Sequence, residues 1–102
     1  MKTQIVTKEK IQKELVDFLC LQFYVDKEDI ELDESLVDAG IIDSMGLIEI
    51  AAFIKEQYNF EVTEEQMKKN NFGSVLKIVE FISIELEKYI NSSNYKFIDS
   101  NS

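Results

Sequence analysis

The chain is a single-domain length of 102 residues in which acids outnumber bases 20 to 11, for a formal net charge of −9. Binding to nucleic acids or anionic membranes draws on Lys and Arg facing phosphates, so this balance has the wrong sign for nucleic acid, disfavours an anionic membrane surface and points to protein partners with basic surfaces. With no His and one Cys, neither a Ser–His or Cys–His nucleophile pair nor a zinc site of the N/S type can be built.

The absence of Pro and the presence of only three Gly suit a helical chain, because both residues interrupt helices. A first helix is predicted over 4–23. Ile11, Leu15, Phe18 and Leu19 recur at spacings of three and four, while Glu9, Lys10, Lys13, Glu14 and Asp17 fill other faces. Its start carries no clear signal. Residues 24–42 lack helical periodicity and read as a long acidic loop anchored by Ile30, Leu32 and Leu36, with Gly40 supplying a turn near its end. The apolar pair Ile41-Ile42 is expected to divide between core and surface.

Asp43 is an expected N-cap for a second helix over 44–58. Its apolar residues Met45, Leu47, Ile48, Ile50, Ala51, Phe53 and Ile54 cover more than one face. Periodicity alone leaves two readings open: an apolar strip exposed for a partner, or a central helix that is mostly buried. Thr63 to Gln66 forms a capping-box pattern that predicts a short third helix over 63–69, ended at Asn70-Asn71. A last helix is predicted over 72–90, with Val75, Val79, Ile82, Leu86 and Tyr89 as its stripe. Residues 91–102 are rich in Asn and Ser and are expected to be a disordered tail, which leaves 1–90 as the folded domain. The fold class is therefore all-α, a small four-helix bundle of three main helices and one short helix.

Cys20 lies in the apolar run 18–21 and reads as a small core residue, consistent with a reducing compartment. No segment is long and apolar enough for a signal peptide or membrane span, so the cytoplasm is the expected location and a monomer the expected state. Carboxylate-only Mg or Ca sites stay open, although no EF-hand spacing is present.

The stretch Gly40-Ile41-Ile42-Asp43-Ser44-Met45-Gly46 carries the chemistry. Ser44 is the first residue of a helix at the end of a loop, so its hydroxyl should be exposed. A phosphodiester there would meet free backbone N–H groups and the positive end of the helix dipole. Asp-Ser alone is equally an ordinary helix start, and Gly46 reads as a glycine tolerated near a helix end.

The wider pattern resembles the acyl and peptidyl carrier protein family over about residues 8–90. In that family an Asp-Ser-Leu or Asp-Ser-Met tripeptide opens the second helix after a long loop. Here Asp43-Ser44-Met45 follows Ser35-Leu36 at the family's loop spacing, Glu49 falls where an acid is common, and Phe72-Gly73-Ser74-Val75 resembles the start of the last helix. Fatty-acid carriers usually read Leu-Gly-x-Asp-Ser-Leu. Gly-apolar-apolar-Asp-Ser-Met-Gly looks more like D-alanyl carrier proteins and other specialised stand-alone carriers.

The resemblance implies a non-catalytic protein whose Ser44 carries a covalent 4′-phosphopantetheine arm, attached by a phosphopantetheinyl transferase. The arm's thiol would hold an acyl or aminoacyl group as a thioester. A loading ligase and acyl-transfer enzymes would then handle it in fatty acid, polyketide or cell-surface or secondary metabolism. Asp43 would cap the helix beside the site. Met45, Ile48 and Ala52 would form a partner-facing strip, and Asp38, Glu49 and Glu56 would meet basic residues of partners. Two other readings differ in class. One is a helical interaction module with the same fold and no arm. The other is a small enzyme using Asp38, Asp43 and Glu49, although nothing in their spacing demands an acid–base pair.

Overall fold

A computed structural model describes residues 7–101, with the side chains of 69, 70 and 89–101 outside the description. Helix α1 is Lys8–Phe23, α2 Ser44–Tyr58, α3 Lys69–Phe72 and α4 Val75–Asn101; a single 3₁₀ turn, Lys27–Asp29, lies in the loop between α1 and α2. Among the described residues there is no strand. The all-α bundle of three main helices and one short one is thus the observed architecture.

Thr7 supplies the start signal for α1: its Oγ1 accepts from the Lys10 N–H at 3.2 Å, so the helix opens at Lys8, and residues 4–6 of the predicted span lie outside the described residues. Ile11, Leu15 and Leu19 of α1 are buried against Ile50 and Ile54 of α2 and Val75, Ile78 and Ile82 of α4. An exposed ion pair of 2.7 Å between Lys8 and Glu80 joins α1 to α4, and such pairs add little to stability.

Helices α1 and α2 pack antiparallel. Glu14 accepts a 2.6 Å hydrogen bond from the Tyr58 hydroxyl. One turn on, Phe18 stacks on Phe53 with centroids 4.3 Å apart. Gln22 Nε2 then donates to Glu49 Oε1 at 3.1 Å, and Phe23 lies against Gly46. The contacts descend α2 as they ascend α1, which brings the end of α1 beside the start of α2.

The long loop is fastened rather than loose. Ile30 and Leu36 are buried, and Leu32 packs against the core. Backbone bonds tie the loop to the start of α4: Leu36 N–H donates to Gly73 C=O at 2.9 Å, and Leu76 N–H donates to Leu32 C=O at 3.0 Å. These bonds satisfy backbone groups that burial would otherwise strand.

Boundaries of the last two helices also differ from the sequence reading. The Thr63 capping box forms reciprocally, since Thr63 N–H donates to Gln66 Oε1 and Gln66 N–H to Thr63 Oγ1. It opens only a turn, however, because Lys68 is extended at φ −68° and ψ 165° and α3 begins after it. The Asn71 side chain competes for the same backbone, donating to Gln66 C=O at 3.0 Å. Helix α4 starts at Val75, three residues later than predicted, and Ser74 Oγ accepts from Lys77 N–H at its start. Its backbone runs on to Asn101, past residue 90, through a segment with neither Pro nor Gly to stop it. The expected boundary between a 1–90 domain and a 91–102 tail falls among residues whose side chains lie outside the description.

Candidate functional site around Ser44

The approach to Ser44 is a tight, well-bonded turn. Leu36 C=O accepts from the N–H groups of both Ile41 and Ile42, and Gly40 takes a left-handed φ of 78° that a side chain would disfavour. Ile42 is buried and Ile41 partly so, as the pair was expected to divide. Asp43 then emerges with extended backbone, and its carboxylate accepts from Gly46 N–H at 3.0 Å, making it the N-cap of α2. Ser44 follows as the first helical residue and is exposed.

This geometry fits a phosphodiester on Ser44. The hydroxyl sits in the first turn of a helix, where N–H groups lack intrahelical partners and the dipole is positive. Gly46 serves that turn more strictly than the sequence reading allowed. A Cβ on it would stand 2.7 Å from Cβ of Ile42 and 3.2 Å from Cε1 of Phe23. It is a packing requirement, because the loop and the end of α1 both press on the first turn of α2.

The apolar surplus of α2 is part buried and part exposed. Ile50, Phe53 and Ile54 are buried, while Met45 is 62 % and Ile48 54 % exposed. Ala52 and Glu56 are also exposed. These four residues succeed one another at helical spacing along one outward stripe. Glu49 borders the stripe, half-buried and held by Gln22. Asp38 is exposed but lies on another flank, where it lines a groove of about 170 Å³ with Ser35, Val37, Leu47, Met67, Phe72 and Gly73. Asp38, Asp43 and Glu49 are thus set in different surroundings. Among the described residues, no cluster of His, Cys, Asp and Glu could hold a metal ion.

The perturbed ionisable groups stand away from Ser44. Burial, then the hydrogen bond to the Glu14 carboxylate, pushes the Tyr58 hydroxyl well above its ordinary range. The Lys55 ammonium holds the exposed Glu61 carboxyl below its ordinary value through a 2.6 Å contact. Cys20 is a free thiol packed partly against the core. No described helix is long and apolar enough to cross a membrane.

The part of the site that the sequence reading missed is the end of α1: Gln22 and Phe23, which touch the start of α2. The available signal was the four-residue step from Phe18 to Gln22, which puts both on one side of α1.

Comparison with known proteins agrees with this geometry. Residues 13–82 match the family described as the phosphopantetheine attachment site. The D-alanyl carrier protein of Streptococcus sanguinis (strain SK36) is 29% identical over 73 residues, covering 72% of this chain and 91% of that protein. The D-alanyl carrier protein of Streptococcus uberis (strain ATCC BAA-854 / 0140J) is 30% identical over 70 residues, covering 69% and 87% respectively. The matched span contains the whole of α2 and the loop that presents Ser44, and the chain belongs to the phosphopantetheine-binding family of carrier proteins.

Proposed function

We propose that Ser44 is the residue that carries the 4′-phosphopantetheine arm, and that the protein delivers a small acyl or aminoacyl group from a loading ligase to an acyl-transfer enzyme in the cytoplasm. The observation that carries this reading is the exposed Ser44 hydroxyl in the first turn of a capped helix, inside the family-matched span. Family membership makes the protein a carrier of a covalent cofactor rather than an enzyme. The arm supplies a thiol that holds the cargo as a thioester, chemistry the chain's own residues do not provide.

The chain's part is to present, orient and be recognised. The Ser44 oxygen accepts the phosphopantetheinyl group from coenzyme A, and the nucleotide half leaves. The hydroxyl proton goes to a base on the transferase, since this chain offers no His. Asp43 holds the first turn of α2 in register, so the hydroxyl meets the transferase in a fixed direction. Met45, Ile48 and Ala52 give partners an apolar strip, with Glu49 and Glu56 for basic residues around it. Asp38 stands at the groove beside Leu47. The D-alanyl carrier proteins among the relatives favour a D-alanyl group or a similar aminoacyl group.

Intact-mass spectrometry tests the assignment. Incubation with coenzyme A, Mg²⁺ and a broad-specificity phosphopantetheinyl transferase is expected to add one phosphopantetheine to the wild type and nothing to Ser44→Ala. An unchanged wild-type mass, or a modified Ser44→Ala, would overturn it. A partner that bound Ser44→Ala as tightly as wild type, with no modification in cells, would favour an interaction module without the arm.

A further inference from the structure

We propose that the last turn of α1, through Leu21 and Tyr24, is the second half of the docking face and seats on an apolar patch within the basic surface of the phosphopantetheinyl transferase. The proposal rests on the reading of Ser44 as the attachment residue.

The antiparallel packing sets the end of α1 beside the Ser44 end of α2, with the Gln22–Glu49 hydrogen bond closing the seam between them. Leu21 adjoins Gln22 and lies three residues after Phe18, both of which touch α2; Met45 and Ile48 adjoin Glu49 in the same way. The two apolar pairs therefore border one seam from opposite sides. Leu21 is 79 % and Tyr24 92 % exposed, so neither side chain serves the core.

Tyr24 adds a second observation. It ends α1 in the left-handed conformation, at φ 57° and ψ 45°, where Gly or Asn is the usual occupant. A tyrosine there bears backbone strain with no burial in return. Large exposed apolar residues on adjoining helices, with strain spent to hold one of them, mark a surface built for a partner. The charge around it selects the partner. Asp17, Asp26, Asp43 and Glu49 lie on the segments that flank the seam, in a chain of net charge −9. A basic surface around an apolar seat complements that arrangement, whereas a second copy of this acidic chain would repel it.

The test is steady-state modification with coenzyme A and a broad-specificity transferase, using Leu21→Gln, Tyr24→Asn and, as a control on α4, Leu76→Gln. Asn accepts the left-handed backbone, so Tyr24→Asn is expected to melt at or above the wild-type temperature. Each α1 variant is expected to raise KM about tenfold with kcat retained, and Leu76→Gln to leave both unchanged. Unchanged KM in both α1 variants, or an equal rise in Leu76→Gln, would overturn the docking role while leaving Ser44 in place. An unmodified wild type would overturn the Ser44 assignment and this inference with it.

Discussion

Ser44 is held by its neighbours rather than by contacts of its own hydroxyl. Asp43 caps from one side and Gly46 admits Ile42 and Phe23 from the other. Gly46 is the more exacting of the two. By helix propensity alone, Gly46→Ala should stabilise α2 by up to about 1 kcal/mol. The added Cβ would instead meet Cβ of Ile42 at 2.7 Å, an atom too close to its own backbone to swing aside. Overpacking of this kind costs about 1–3 kcal/mol, so the net effect is expected to be destabilising. Thermal or urea denaturation of the unmodified protein checks the sign, and a variant more stable than wild type would show that the turn has slack. Asp-Ser and the cap were legible in the sequence because both are local. The need for glycine was not, because it arises from the way the loop folds Ile42 back onto the turn and from Phe23, more than twenty positions away in the chain.

At the scale of elements, α2 was legible from end to end, since its cap and its apolar run agree. The short third helix was not. Its capping box formed, yet Lys68 and the Asn71 side chain shifted the helical turn beyond it. Which α2 face stays exposed was also beyond periodicity, because it depends on how α1 lies across the helix. That lie is fixed at the far end by Tyr58 and Glu14. Here the sign of a pH effect follows. Tyr58 keeps its proton in the fold to a pH above its unfolded value near 10. Folding therefore gains from this group in full below pH 10 and loses that gain as pH rises above it, because only the unfolded chain then releases the proton. Tyr58→Phe is expected to cost about 1 kcal/mol at pH 7 and to flatten the decline in melting temperature above pH 10. A decline equally steep in Tyr58→Phe would assign it to other groups.

At the scale of the whole molecule, a net charge of −9 is expected to act on encounter with a basic partner more than on folding. Among the described residues the exposed ion pairs, such as Lys8–Glu80 and Lys55–Glu61, contribute little to stability. On the proposed reading a transferase with a basic surface would be steered by this field, and association gains of ten-fold or more are typical at low salt. The Debye length falls from about 30 Å at 0.01 M to about 3 Å at 1 M ionic strength. Raising salt across that range should therefore lower kcat/KM for modification at least about tenfold, with kcat nearly constant because the chemistry takes place in a closed complex. Local and diffuse charge can be separated. Glu49→Gln removes a charge beside the exposed α2 stripe yet keeps an oxygen for Gln22 to bond. Glu64→Gln removes one from the exposed turn before α3. If the field acts through the α2 face, Glu49→Gln reduces kcat/KM at low salt more than Glu64→Gln, and the two variants converge at 1 M. Equal losses would assign the steering to net charge alone, and a rate indifferent to salt would remove electrostatics from the recognition of this carrier.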